Sequence, residues 1–489
     1  MNIIDASEVL IEQVLEQSHD AFFTYRSTTP SQRKQLLSTI AKLIEEARVE
    51  LVAVAAKETH LPETRLNNEL NRTIFQLESY GAACLKGYWM EASIDHDESA
   101  QPAKPTIRKL LIPLGPVVVF GSSNFPFAYS TAGGDTASAL AAGCTVVIKA
   151  HPAHPETSSR MASCIAEAVA LCGLPAGVFQ HVFGASHQVG KWLVQHPHTA
   201  AVGFTGSFTG GKQLVDWAAA RHQPIPVFAE MGSLNPVFIL PEKLNREYAQ
   251  IANQLVGSYT LGVGQFCTKP GIMIVPKDAA GDKFIAQVQS HVAEQKVGPL
   301  LNKGIATRFT EAISSISKAK GVKVLTGVTN PDGYGVTPSI FVVDWEDVKN
   351  HDDLLEEHFG PTSVIIRAEF SQYLSIAKAM SGQLASAVHA GSNEDVKDLV
   401  SALTQLAGRL IWNGFPTSVS VTAAQNHGGQ WPASSSHTTS VGLDALYRFV
   451  RPVVYQNFPD NLLPAELQNP NPYGIERVVN GVRSTKAIN

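Results

Sequence analysis

Two side chains and one loop in this sequence are of types that can do chemistry together. Cys267 sits in Gly262-Val263-Gly264-Gln265-Phe266-Cys267-Thr268-Lys269-Pro270, where two glycines relieve the backbone around a thiol that could meet a substrate as a nucleophile. A free cysteine is equally at home as a small apolar core residue, so its company decides. Glu230 precedes it by 37 residues in Phe228-Ala229-Glu230-Met231-Gly232. Apolar neighbours raise a carboxyl pKa and suit it to act as general base on water; the same setting also accommodates one half of a buried ion pair. Gly206-Ser207 stands between an apolar run, Ala200 to Phe204, and a helical pattern after Gly210-Gly211. N–H groups at such a helix start can receive a pyrophosphate.

The elements that must position these groups read as α/β. From Ser7 to Trp89 the apolar spacing is helical, with Thr29-Pro30-Ser31 opening a helix that contains Leu36, Leu37, Ile40 and Leu43. Lys34, Glu45, Glu46 and Arg48 read as its solvated face. Arg108 to Gly121, broken by Pro113, Gly115 and Pro116, predicts an exposed arm and then a buried parallel strand over Val117 to Phe120. The Ala-rich helix around Thr136 to Ala142 and the strand Thr145 to Lys149 complete a βαβ unit, and further units run through Val178 to Phe183, Val189 to Gln195 and Ala200 to Phe204. A second α/β region has strands at Pro236 to Leu240, Gly271 to Val275 and Ser363 to Ile366. The tail, from Asn457 to Tyr473 and through Arg477 to Val482, reads as extended packing segments.

Composition narrows the class. The chain has 489 residues, 44% of them hydrophobic and 17% charged, with a formal net charge of −5. This is ample for a large core in two domains, and it lacks the basic field that nucleic acid binding needs. Five cysteines with no CxxC and no Cys/His pair at zinc spacing indicate neither a disulfide framework nor a metal site. With no signal-like N-terminus and no long apolar run, the expected setting is the cytoplasm, without membrane contact.

Six motifs in fixed order, Ser122-Ser123-Asn124-Phe125-Pro126, Val147-Ile148-Lys149, Phe204-Thr205-Gly206-Ser207, Phe228 to Gly232, Gly264 to Cys267 and Glu356-Glu357-His358-Phe359-Gly360-Pro361, resemble the aldehyde dehydrogenase superfamily over nearly the whole chain. The resemblance implies a Rossmann-like cofactor domain over 1–228 with a subunit-bridging arm near 101–115, a catalytic domain over 229–444, and a C-terminal packing or oligomerisation segment over 445–489. It implies a homo-oligomer, dimer or tetramer. Cys267 would form a thiohemiacetal and then a thioester, with Asn124 and the Cys267 N–H holding the oxyanion and Glu230 activating water. Gly206 and Ser207 would hold the dinucleotide phosphates, Lys149 and Glu357 the riboses, and Phe359 the nicotinamide, which must accept the hydride because no side chain can. His427, in Asn426-His427-Gly428-Gly429, is either a proton carrier or a hydrogen-bonded loop histidine.

Longer blocks, Phe120 to Ala128, Lys149 to Pro152, Gly264 to Gly271 and Thr438 to Gly442, resemble the branch that oxidises 2-oxoglutarate semialdehyde (2,5-dioxopentanoate), which includes long-chain aldehyde dehydrogenases. His437 stands where that branch often has arginine. The expected substrate is 2,5-dioxopentanoate, with a broad or aliphatic aldehyde dehydrogenase as the alternative and a cysteine hydrolase or acyl transferase, built on a Cys/His pair, as the rival class. The region after Lys149 carries Pro152, and its next carboxylate is Glu156, so NADP⁺ is the expected cofactor, with NAD⁺ also accepted. Ser434 to Thr438, Arg72 and Arg108 are candidate partners for a substrate carboxylate. Phe125, Phe127, Phe266 and Trp431 are candidates for an apolar tunnel.

Overall fold

A computed structural model describes residues 3–96, 105–326, 334–348 and 351–488. The run Val117–Phe120 is apolar at every position because both its faces are covered: all four residues are buried. It is the middle of a parallel five-stranded sheet in the order Phe179–Val182, Val146–Lys149, Val117–Phe120, Ala201–Thr205, Val227–Glu230. Helices Gly134–Ala142, Pro155–Leu171, His187–Gln195 and Phe208–Ala219 connect these strands. The last strand runs through Glu230, so this sheet extends two residues beyond position 228 and ends on the candidate base.

Four helices, Glu8–Tyr25, Pro30–Glu46, Arg48–Thr59 and Glu63–Lys86, form the N-terminal layer. Thr29 opens the second of them with a capping box to Gln32 and Pro30 in its first turn. Lys34, Glu45 and Glu46 are exposed as that pattern predicts. Arg33 and Glu69 break the rule: both are buried.

The second sheet has seven strands, ordered Lys323–Val324, Ser339–Asp344, Thr362–Ala368, Ile272–Pro276, Val237–Ile239, Gln383–His389, Ala407–Trp412, and is antiparallel only at its first pair. A third sheet joins the expected arm to the tail. Ile107–Pro113 pairs on one side with Val450–Gln456 and on the other with Ser93–Asp95, followed by Arg477–Val479 and Val482–Ser484. Residues 101–104 of the arm lie outside the described residues. The tail is thus more regular than an extended packing segment: Asn480 and Gly481, both at positive φ, close a hairpin.

The two large sheets meet at a seam. Main-chain bonds from Met231 N–H to Ala433 O (2.7 Å) and from Ser435 N–H to Ala229 O (3.0 Å) add the segment around Ser434 to the edge of Val227–Glu230. Opposite this seam, the cysteine loop turns left-handed through Gly262 (φ 58°), Val263 (60°) and Gly264 (67°). A β-branched residue is strained there, by about 1–3 kcal/mol, and the loop keeps it because neighbours leave no alternative. A Cβ on Gly264 would lie 2.2 Å from the carbonyl oxygen of Gly360. Since backbone cannot move aside cheaply, Gly264→Ala is expected to lower the unfolding temperature by several degrees and to cut turnover more than tenfold, measured by calorimetry and steady-state assay. Wild-type behaviour in both would refute this close packing.

Candidate active site

Cys267 is held by its backbone. Asn235, fully buried, donates from its amide to the carbonyl oxygens of Cys267 (2.8 Å) and Lys269 (2.9 Å). The Cys267 Sγ lies 3.6 Å from His427 Nε2. His427 is anchored in turn, its N–H donating to Thr439 Oγ1 at 2.8 Å. The Cys/His pair considered from sequence therefore exists in space, 160 residues apart in the chain.

Asn124 lines the same cavity as Cys267. Its amide donates to the Gln265 carbonyl oxygen (3.0 Å), which leaves a second N–H for a ligand. The loop that carries it is fixed from the helix Glu63–Lys86: Arg65 donates to the Asn124 carbonyl oxygen (2.7 Å), and Glu69 accepts from the N–H groups of Phe127 (2.8 Å) and Ala128 (3.0 Å). Arg65 also lies over the rings of Phe125 and Phe266, 4.9 and 5.1 Å from their centroids. The i, i+4 spacing of Arg65 and Glu69 was visible in the sequence, but it has the form of an ordinary solvated helix pair.

Glu230 is buried and doubly held. One carboxylate oxygen accepts from Arg448, the other from Ser434 Oγ (2.7 Å). Arg448, fully buried, also donates to Asp135 (3.1 Å). So the ion-pair reading of Glu230 and the cavity-lining reading hold at once. Burial outweighs Arg448 and pushes the Glu230 carboxyl up to about 7.

A cavity of about 920 Å³ connects these groups to the loop after Ala201–Thr205. Its walls include Cys267, Glu230, Asn124, Gly206, Ser207, Glu357 and Phe359. Phe208, Thr209 and Gly210, the first turn of the helix Phe208–Ala219, line it too; the Gly210 N–H donates to Ser207 Oγ (3.2 Å), which leaves those of Phe208 and Thr209 for an anionic phosphate. The space and the donors fit a dinucleotide. Lys149 ends its strand outside this wall, its ammonium donating to the Ala150 carbonyl oxygen at 3.3 Å and pushed down to about 8 by burial. Glu357 packs against Gly232, where a Cβ would lie 2.4 Å from its carboxylate. Burial raises its pKa and lowers that of neighbouring Lys269, whose ammonium donates to the carbonyl oxygens of His358 and Thr362, both at 2.8 Å.

Several expected partners stand elsewhere. Arg108 is buried against the tail, bonded to Asp460 and Asn469, so it is no part of a substrate mouth. Ser434 and Ser435 are spent on Glu230 and on the backbone of the strand Val227–Glu230, and His437 is exposed. Phe127 is fully buried core rather than tunnel wall, and Trp431 packs on Phe208 at 5.5 Å. Arg72 does belong to the site, donating to the Tyr129 hydroxyl at 2.9 Å. Arg409, missed in the sequence because it lies on the edge strand Ala407–Trp412, joins it: both arginines act electrostatically on Cys267 and His427. Around Lys149 the carboxylate that matters is neither Glu156 nor any residue near it in sequence. It is Asp5, which accepts from the Ala185 N–H (2.6 Å) and acts on Lys149.

A half-buried thiol beside a histidine, an amide donor, a carboxylate and a dinucleotide-sized cavity are the parts that covalent thiol catalysis with a dinucleotide cofactor requires. Comparison with known proteins specifies the class. Residues 1–452 match the family model described as "Aldehyde dehydrogenase family", and the chain belongs to that family, an oxidoreductase. It is 40% identical to the alpha-ketoglutaric semialdehyde dehydrogenase of Acinetobacter baylyi, over 96% of this chain and 91% of that one. It is also 40% identical to alpha-ketoglutaric semialdehyde dehydrogenase 2 of Azospirillum brasilense, over 97% and 92%. Among solved structures, the glyceraldehyde-3-phosphate dehydrogenase GapN of Methanocaldococcus jannaschii, complexed with NADP, superposes with a TM-score of 0.80 at 21% identity, over 93% of this chain and 95% of that one. Among the described residues no helix is long and apolar enough to cross a membrane, and no group of three His, Cys, Asp or Glu could hold a metal ion.

Burial pushes the Cys267 thiol up to about 12, helped by Glu357 and Glu230 and opposed by Arg409 and Arg72, while burial, with Arg409 and Arg72 adding to it, pushes His427 down to about 3. The pair is therefore neutral, S–H beside imidazole, in the enzyme without ligands. Because the thiol pKa is raised, the reactive thiolate fraction grows with pH throughout the working range. Alkylation of Cys267 by iodoacetamide, followed by peptide mass spectrometry, is expected to accelerate about tenfold per pH unit without levelling near the free-thiol value of about 8.5. A plateau below about pH 9 would show a preformed ion pair instead.

Proposed function

We propose that this enzyme oxidises a short dicarboxylic semialdehyde, 2,5-dioxopentanoate, to 2-oxoglutarate with reduction of NAD(P)⁺. Family membership carries the aldehyde oxidation and the dependence on a nicotinamide. The observation that carries the acid substrate is the pair of relatives at 40% identity, and the positive charge that Arg72 and Arg409 bring to the neighbourhood of Cys267 and His427 suits it.

In this reading Cys267 Sγ attacks the aldehyde carbon as the thiolate, its proton lost to solvent, with His427 Nε2 beside it as a hydrogen-bond partner (3.6 Å) rather than as the base, and the Asn124 amide and the Cys267 N–H receive the oxyanion. A nicotinamide cofactor held in this cavity would supply the hydride acceptor; Gly206 and Ser207 would hold its phosphates, Glu357 a ribose and Phe359 the nicotinamide, and Lys149, just outside the cavity wall, would have to turn inward to reach the other ribose. Collapse of the thiohemiacetal leaves a thioester on Cys267. Water then attacks it, giving its proton to Glu230, and the C–S bond breaks to release the acid. NADP⁺ is the preferred cofactor with NAD⁺ also used, though Asp5 makes the ribose end less cationic than the sequence neighbours of Lys149 suggest. The working unit is a homo-oligomer, dimer or tetramer: the strands Val450–Gln456 and Ala407–Trp412 end their sheets with Val454 (57%) and Trp412 (53%) exposed, edges that a second copy would cover. Five unpaired cysteines suit the cytoplasm.

Cys267→Ala is expected to abolish turnover. Glu230→Gln should give one burst of reduced cofactor and then stall, seen by stopped-flow absorbance, because the thioester forms and water is poorly activated. Steady turnover near wild type would remove Glu230 from this role.

The substrate is tested with both cofactors against aldehydes of matched length. One charge-assisted hydrogen bond to the distal carboxylate should favour succinic or 2-oxoglutaric semialdehyde over an uncharged aldehyde by about tenfold or more in kcat/KM. Hexanal turned over equally well would sink the acid reading and favour a general aliphatic aldehyde dehydrogenase. NAD⁺ more than about tenfold better than NADP⁺ in kcat/KM would reverse the cofactor order.

A further inference from the structure

We propose that Arg448 is the positioning residue of thioester hydrolysis: anchored by Asp135, it seats the Glu230 carboxylate, and the sharing of one guanidinium between two carboxylates sets the pH at which Glu230 becomes a base. The inference rests on Glu230 being that base.

Arg448 is 0% exposed and ties three separate segments together. One terminal nitrogen donates to Glu230 at the end of the strand Val227–Glu230 and to the Thr438 carbonyl oxygen (3.2 Å). The other donates to Asp135 (3.1 Å), in the first turn of the helix Gly134–Ala142. Gly203 on the neighbouring strand keeps room for that acid, since a Cβ there would lie 2.9 Å from its carboxylate oxygen. Ser434 Oγ donates to the second Glu230 oxygen, so each oxygen of the base has a donor. Positional freedom is removed at both ends.

The electrostatics follow from the count of charges. One buried cation faces two largely buried carboxylates, an arrangement that favours keeping one proton on the pair. The Asp135 carboxyl, like that of Glu230, is displaced upward by burial and held down by Arg448. The other ionisable groups that face Glu230 are Cys267 and Tyr129, both pushed up to about 12 and so neutral at working pH. Removing the Asp135 charge leaves the guanidinium to Glu230 alone and favours its ionised, basic form at lower pH. Removing Arg448 does the reverse, since a buried carboxylate is left facing only another acid. A role confined to holding the fold together would weaken both variants without moving the titration in opposite directions.

The test is the pH dependence of the slow phase that follows the burst of reduced cofactor, in the full-length enzyme. Glu230 acts when ionised, so the wild-type rate should rise through about pH 7. In Asp135→Asn the rise should move down by about one pH unit, and in Arg448→Gln up by at least about one, with the burst itself retained in both. Arg448→Lys should return the rise toward wild type. Rises that stay in place, or move the same way in both variants, overturn the proposal. Should Arg448→Gln not fold, Asp135→Asn decides alone: a rise that is unmoved or moves upward overturns it. Glu230→Gln separates the two levels of the argument. Wild-type turnover in that variant ends the base assignment itself, whereas a stalled enzyme with unparted pH profiles ends only the role of Arg448.

Discussion

The structure depends on a strip of main chain only three residues long. Where the segment around Ser434 bridges to the edge of Val227–Glu230, a loop that lies in neither large sheet is tied antiparallel to the last strand of the five-stranded parallel one. Backbone hydrogen bonds of this kind admit no slippage of a fraction of a residue, because a one-residue shift turns every side chain to the other face. Glu230 at the end of the strand, the serine that bonds it and the loop bearing His427 are placed together by that register.

Around this seam the protein holds several charged side chains in or at the edge of the interior and gives each at least one polar or charged neighbour. Arg448 with Glu230 and Asp135, Lys269 beside Glu357, and Glu69 with two backbone N–H groups each lie in the interior. Such pairs add little net stability, since desolvation offsets attraction. Their value is geometric: a guanidinium with two carboxylates and a carbonyl to satisfy can sit in one place only. The Cys267–His427 pair is the opposite case, neutral on both sides. Burial holds the proton on sulfur and keeps the imidazole unprotonated.

The catalytic loop combines the two strategies. Three consecutive left-handed residues, one of them valine, lead into the thiol, and Asn235 locks the carbonyl oxygens on either side of Thr268. Strain of this type persists only where the surroundings over-determine it. Here the tight approach of Gly264 to Gly360 supplies that surrounding, and it also couples the cysteine loop to the loop carrying Glu357 and Phe359.

From the sequence alone came the thiol in its glycine setting, the acid among apolar neighbours, the phosphate-ready turn after Ala201–Thr205 and the parallel cofactor sheet. Each is written in a short window: an unbroken apolar run, a glycine pair, a strand-to-helix junction. The Asn-Gly at 480–481 was equally local, and the hairpin it closes was legible but passed over among the tail's prolines and asparagines. What local windows could not hold were long-range pairings of polar groups. Arg448 with Glu230 spans 218 residues, Arg65 with Asn124 spans 59, and Asp5 reaches Ala185 across 180. In sequence, Arg65, Arg72, Arg108, Arg409 and Arg448 look alike. Only the packing of sheets and helices decided that Arg108 anchors the tail, Arg65 covers Phe125 and Phe266, Arg72 and Arg409 act on the thiol and Arg448 holds Glu230, because the partner that satisfies a buried charge is set by which chain segments the core brings together.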